Sequence, residues 1–206
     1  QLERVWSEIM SASLSLESAL RIGYLGPESS FSHLAAIQEF GHAVDLQPYV
    51  SIPDIFRAVE GEGLDHGVVP IENSTEGIVH YTMDMFLESP LRICSELQLR
   101  IRLCLLAKVP LAKVKRVFSH PQPFRQCQRW LRENLRGAGL VEVSSTTKGA
   151  EMASRSRDGA SIGSEVAAEK YGLDIVARGI EDDADNTTRF LVIGRRHPGP
   201  SGSDKT

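Results

Sequence analysis

The sequence predicts an α/β protein made of two βα lobes. Three observations carry this. Short apolar runs of strand length alternate with amphipathic helical segments along residues 21–196. The turns between them are short and rich in serine, threonine, asparagine, proline and glycine. One long stretch, Leu91 to Ala107, has strand periodicity, with Leu97, Leu99, Ile101, Leu103 and Leu105 alternating with polar or small residues. Alternating β and α segments with short connections imply a mostly parallel sheet covered by helices. The long period-two stretch is expected to run as one strand from the first lobe to the second, with a return through 178–190.

Composition narrows the class. The chain has 206 residues, 41% hydrophobic and 24% charged, ample for a packed core and incompatible with wholesale disorder. The net charge of −4 gives no sign of a dedicated nucleic-acid binder. No apolar run approaches a membrane span, and Gln1-Leu2-Glu3-Arg4 lacks the charged and apolar regions of an export signal, so a cytoplasmic protein without a membrane partner is expected. Cys94, Cys104 and Cys127 are an odd, sparse set that suits a reducing compartment. The histidines show no metal-ligand spacing, and no metal is expected.

Taken in order, residues 1–20 read as an amphipathic helix with Leu2, Val5, Ile9 and Leu16 at helical spacing. Arg21 to Leu25 is a strand, Gly26 to Ser30 a turn, and Phe31 to Phe40 a helix ended by Gly41. Asp45 to Val50 is a strand, and Ser51 with Pro53 opens a helix to about Glu60. His66 to Ile71 is a buried strand, followed by the polar turn Glu72-Asn73-Ser74-Thr75-Glu76-Gly77 and a helix over 78–87. A polar cluster where a strand meets a helix start suits an anion, although a plain capped turn has the same appearance. Val114 to Phe118 is a strand; Ser119 is expected to cap one helix carrying Phe124, Cys127, Leu131 and Leu135. Leu140 to Val143 leads through the hydroxyl-rich turn Ser144 to Thr147 into a helix over 148–155. Strands follow over 160–162, 173–177 and 190–193, with a helix to Tyr171 and an acidic loop over 180–188. Several of these turns offer N–H and O–H donors with few metal ligands, which suits a small polyanionic ligand.

The motifs Gly26-Pro27-Glu28, Val69-Pro70-Ile71-Glu72-Asn73-Ser74, Ser119-His120-Pro121-Gln122 and Thr188-Arg189-Phe190 occur in the order and approximate spacing of prephenate dehydratase. Any one alone is unspecific; the four in order make the chain resemble that family over about residues 21–196. The resemblance implies a two-lobed fold like the type-2 periplasmic binding proteins, with the active site in the interlobe cleft. Lobe 1 is then about 21–98 plus 188–196, and lobe 2 about 99–187. Residues 1–20 resemble the last helix of an AroQ-type chorismate mutase domain. Residues 197–206 resemble a linker toward an ACT regulatory domain. Both domains are expected in cis in a parent chain that forms a homodimer or higher homo-oligomer. The family often has glycine and threonine where this chain has Ser29 and Ser30, and an acidic residue where it has Ser144.

The activity implied is conversion of prephenate to phenylpyruvate in phenylalanine biosynthesis. Carbon dioxide and hydroxide leave as the ring becomes aromatic, so no cofactor is expected. By resemblance, Thr188 faces the leaving hydroxyl as a hydrogen-bond donor or proton relay. Glu72 is either a proton source, if burial raises its pKa, or a carboxylate capping the next helix. Asn73, Ser74, Ser119 and Gln126 are candidates to bind the substrate. Ser145, Thr146 and Thr147 are candidates to hold a carboxylate at a helix start. Arg189 follows Thr188 on a strand and should point away from it, as an ion-pair residue or a clamp. His33 and His120 read as packed or capping residues. Arogenate dehydratase, acting on the amino analogue, and a non-catalytic two-lobed anion-binding module are the rival readings.

Overall fold

A computed structural model describes residues 20–195. The helix expected over 1–20, apart from Leu20, and the linker expected over 197–206 lie outside the described residues. The α/β class is borne out, in two compact units. Of the described residues, one unit takes those up to Pro27, Ser32–Leu99 and those from Thr187 on; the other takes Glu28–Phe31 and Arg100–Asn186.

The first unit is built on a six-stranded mixed sheet. Its elements are β1 (Arg21–Leu25), α1 (Phe31–Phe40), β2 (Asp45–Tyr49), α2 (Ile52–Glu60), β3 (His66–Asn73), β4 (Gly77–Ile78), α3 (His80–Glu88), β5 (Arg92–Arg100) and, after the second unit, β11 (Thr187–Gly194). The strand order is β2-β1-β3-β11-β5, with β4 on β3. β1 runs parallel to β2 and β3, as the mostly parallel sheet expected from the βαβα order requires, whereas β11 enters antiparallel to β3 and makes the sheet mixed. α2 forms because Ser51 caps it, its Oγ accepting from the Asp54 N–H at 3.3 Å, with proline in the first turn. Ile52, Ile55, Phe56 and Val59 then fall on one face and pack on Leu64, Val69, Ile71, Leu191 and Ile193. Burying Phe56 completely contributes about 1.5–3 kcal/mol. The opposite face of the sheet is closed by Ala35 and Ala36 of α1 against Ile22, Tyr24, Val68, Phe190 and Val192.

The second unit has a five-stranded sheet of order β10-β6-β9-β7-β8. Its elements are β6 (Cys104–Ala107), β7 (Arg116–Ser119), α4 (Pro121–Gln126), α5 (Gln128–Asn134), β8 (Gly139–Glu142), α6 (Thr146–Ser154), β9 (Gly159–Gly163), α7 (Glu165–Tyr171) and β10 (Asp174–Arg178). β9, β7 and β8 are parallel; β6 runs antiparallel to both its neighbours, β9 and β10. Ala150 and Ala153 of α6 pack with Phe118, Ala167 and Ala168.

Two expected elements are broken, each by bonds that local periodicity does not contain. The long strand stops after Arg100 and restarts at Cys104. Between them the Ile101 N–H donates to Asn186 O at 2.8 Å, and the Leu103 N–H donates to the buried Glu181 carboxylate at 2.8 Å. The helix expected over 119–135 is two helices meeting at Cys127. Asp182 lies over the start of the second, accepting from the Arg129 and Trp130 N–H groups at 3.0 and 3.4 Å. A carboxylate there satisfies orphan donors and suits the helix dipole.

None of the three cysteines forms a disulfide, and burial pushes each thiol up. Cys104 and Cys127 are core residues and Cys94 is partly buried against the core, none of them an activated nucleophile.

Candidate functional site

In the first unit the polar stretch after the His66 strand is a hairpin, not a strand-to-helix turn. β3 continues through Glu72 and Asn73, β4 folds back to pair Ile78 with Glu72 and Gly77 with Asn73, and α3 begins only at His80. Gly77 takes φ +83, the left-handed conformation that the tight reversal needs. The N-cap of α3 is Val79, without a side-chain cap, so Glu72 to Ser74 do not sit at a helix start and Glu72 caps no helix.

Asn73 is the hub of this hairpin. Its Oδ1 accepts from the Thr75 N–H (3.0 Å), the Thr75 hydroxyl (2.6 Å) and the Glu76 N–H (3.1 Å). Those donors fix which way the amide faces, so Nδ2 is turned to β11, where it donates to Thr188 Oγ1 at 2.7 Å and Thr187 O at 3.2 Å. Thr188 is only 9% exposed. Because its oxygen accepts from Asn73, its own proton is left to donate elsewhere. Ser74 joins the same strand, its Oγ accepting from the Thr187 N–H at 3.0 Å and its N–H donating to Thr187 O at 2.9 Å.

Glu72 and Arg189 lie on the opposite face, since side chains alternate along a strand. Arg189 stands between two carboxylates, Glu72 at 3.9 Å and Glu96 at 3.7 Å. The Glu72 side chain is 48% exposed, so the burial required of a proton source is missing. Sequence reasoning passed over Thr75 and Glu96. Thr75 lies inside the polar stretch and was within reach of inspection; Glu96 meets Arg189 only through the strand order.

In the second unit, three helices begin at the carboxyl ends of the parallel strands β7, β8 and β9. Their N-caps are His120, Ser145 and Ser164, accepting from the N–H groups of Gln122, Lys148 and Ala167. The cap of α4 is therefore His120 and not Ser119, which is fully buried, its hydroxyl donating to Ile162 O at 3.4 Å. Ser145, Thr146 and Thr147 do come together in the first turn of α6, with Thr147 buried and donating to Glu28 O at 3.3 Å. Ser164 in turn donates to Ser29 O at 3.1 Å. Ser29 takes φ +68, which accounts for glycine at that position in the resembled family. Gln126 stands at the far end of α4, away from its cap. His33 is buried with its ring 4.8 Å from that of Tyr24, a packed residue.

A cavity of about 720 Å³ in this unit, between α4, α5 and β8, includes none of the predicted site residues. Among the described residues no group of three or more His, Cys, Asp or Glu is placed to hold a metal ion, and no helix is long and apolar enough to cross a membrane.

A two-unit α/β protein with a threonine hydroxyl held by an asparagine amide where two central strands of a sheet end is thus the class defined by the geometry. Residues 22–198 match the family model described as prephenate dehydratase. The chain is 46% identical over 206 residues to a bifunctional chorismate mutase/prephenate dehydratase of Aquifex aeolicus, covering all of this chain and 57% of that protein. It is 38% identical to arogenate dehydratase/prephenate dehydratase 2 of Arabidopsis thaliana, over 92% of this chain and 50% of that one. The solved prephenate dehydratase of Arthrobacter aurescens, in complex with L-Phe, superposes with a TM-score of 0.80 at 31% identity, over 91% of this chain and 63% of that one. The chain belongs to the prephenate dehydratase family. It spans a little over half the length of the bifunctional relatives it matches.

Proposed function

We propose that the chain catalyses the conversion of prephenate to phenylpyruvate, carbon dioxide and water. The observation that carries this is the Asn73–Thr188 pair. Asn73 donates to Thr188 at 2.7 Å, which leaves the threonine proton for an oxygen leaving the substrate. The C–C bond to the ring carboxylate breaks as carbon dioxide departs; its electron pair enters the ring while the C4–oxygen bond breaks. The departing hydroxide takes a proton and leaves as water. Aromatisation drives the step, and the chemistry asks for no cofactor. An unperturbed threonine hydroxyl is a poor acid, so its part is hydrogen bonding or relay. Positioned proton donors of this kind contribute about 10²–10⁴-fold.

The remaining roles follow from surroundings. Thr146, with the N–H groups at the start of α6, is a carboxylate-binding candidate alongside the capping Ser145 and the anchored Thr147. Gln126 remains a substrate-binding candidate. Ser74 and Ser119 support the backbone, and Glu72 with Arg189 forms a structural ion pair. We assign residues 21–196 to the catalytic domain of a longer cytoplasmic chain. On the names of its relatives that chain carries a chorismate mutase domain, and on the resemblance an ACT domain and a homo-oligomeric state.

The test is phenylpyruvate formation from prephenate, read by its ultraviolet absorbance in alkali, with Thr188→Ala alongside. Expected is a fall in kcat of about 10²-fold with KM changed little. A variant with the parent's kcat removes Thr188 from the mechanism. Competition between prephenate and arogenate assigns the preferred substrate; ligand-induced stabilisation without turnover makes the chain a binding module.

A further inference from the structure

The pairing of Asn73 with Thr188 depends on an irregularity in the sheet, and one buried side chain outside every motif holds that irregularity. From Val69 to Pro70, β3 faces Leu191 and Phe190; beyond it, Glu72 faces Arg189 and Asn73 faces Thr188. Ile71 is the extra residue, a β-bulge. Continuing the first register without it would set Glu72, not Asn73, opposite Thr188. Directly opposed residues share a face of the sheet, so the bulge exchanges a carboxylate for an amide donor beside the threonine.

On the edge of β3 away from β11, the bulge falls in a gap between two partners. Pairing with β1 ends at Val68, and pairing with β4 begins at Glu72. Two backbone carbonyls in that gap are taken up by the segment that follows the hairpin. The Val79 N–H donates to Ile71 O at 2.9 Å, and the Thr82 hydroxyl donates to Pro70 O at 2.6 Å. Thr82 is 0% exposed, so no water replaces its hydroxyl without entering the core. It lies in the first turn of α3, and its own N–H bonds to Val79 O at 3.0 Å, which locks helix and bulge together.

We propose that Thr82 is a positioning residue for the dehydratase reaction: by satisfying Pro70 O it holds the bulge at Ile71 that places the Asn73 amide against Thr188. This rests on the reading of Thr188 as the group facing the leaving hydroxyl.

The test compares Thr82→Val, which keeps shape but removes the hydroxyl, with Thr82→Ser, which restores it. Two readouts are taken on the whole chain. One is steady-state formation of phenylpyruvate. The other is the nuclear magnetic resonance signal and solvent exchange of the Asn73 side-chain amide, assigned by its loss in Asn73→Ala. Expected for Thr82→Val is a fall in kcat of about tenfold or more with KM within twofold, and an Asn73 amide that shifts and exchanges faster; Thr82→Ser keeps both near the parent. A folded Thr82→Val with the parent's kcat and Asn73 signal overturns the proposal. If Thr82→Val does not fold, Thr82→Ser decides: loss of either readout in that folded variant overturns the proposal, and retention of both, with the hydroxyl as the shared feature, supports it. The amide readout needs no turnover, so a parent inactive on prephenate defeats the dehydratase reading while the positioning of Asn73 is still tested.

Discussion

Asn73 sets what Thr188 can do. An amide has a donor end and an acceptor end, and three donors from Thr75 and Glu76 occupy the acceptor. An aspartate of the same shape has no donor. In Asn73→Asp one carboxylate oxygen keeps the hairpin donors, and the other faces Thr188 and draws the threonine proton to itself. The expected outcome is a kcat reduced by about 10²-fold or more, comparable with Thr188→Ala, with the hairpin kept and a lowered thermal unfolding midpoint, because Thr187 O then faces a carboxylate oxygen in place of a donor. Steady-state kinetics beside a thermal melt check it; an Asp variant of parental kcat would show that Thr188 does not need its proton. Both residues were legible in the sequence as members of motifs. Their contact was not, because it runs across 115 positions of chain and hinges on one extra residue in β3. Glu72 was the reverse case: legible as a carboxylate beside the site, but set on the other face by the strand's alternation.

At the scale of elements, local chemistry was readable where local bonds decide. Ser51 with Pro53 marked the start of α2, and Ser145 and Ser164 sit where short polar turns precede helices. It was unreadable where a distant residue ends an element. Glu181 diverts Leu103 from the sheet, and Asp182 restarts a helix at Gln128. The hairpin after β3 escaped because a two-residue strand has no periodicity to detect. Close packing of α6 makes a sharper prediction. A Cβ on Gly149 would lie 2.6 Å from Phe118 O and 2.8 Å from Ser161 Oγ. Alanine gains about 1 kcal/mol of helix propensity over glycine, but the carbonyl it strikes belongs to β7 and cannot turn aside. Overpacking therefore wins, and Gly149→Ala is expected to be destabilising, by about 1–3 kcal/mol before that gain. A lower urea midpoint at unchanged slope is the measurement; a midpoint at or above the parent's would show that α6 has room to shift.

Across the whole molecule, alternation of strand and helix was enough to expect two α/β units, whereas the excursion of Glu28–Phe31 into the second unit was invisible, since it depends on Thr147, Ser164 and Lys170 reaching back to it. The folded whole also titrates differently from the open chain, and His66 makes the difference visible near neutral pH. It opens β3 with its ring 5.7 Å from that of Phe40. Burial disfavours the imidazolium and outweighs the attraction of Asp65, and Arg195 adds repulsion, so its folded pKa lies below the ordinary value. As pH falls through the ordinary value, the unfolded chain takes a proton that the folded protein refuses. Stability therefore falls with pH from about 7 until the folded pKa is reached, and is flat with respect to this group below it. Asp65 and Asp158 act in a separate window. Burial opposes ionisation of Asp65, but its bonds with Arg21 prevail, and hydrogen bonding from Arg116 leads in lowering Asp158. Their contribution is present above about pH 4 and is lost as pH drops through their folded pKa values. Between pH 7.5 and 5.5 the two aspartates stay ionised in both states and add no slope, so comparison with His66→Gln isolates this histidine. Urea unfolding at pH 7.5, 6.5 and 5.5 is expected to show a falling midpoint in the parent and a flatter profile in His66→Gln. Equal slopes in the two proteins would assign the loss to other groups.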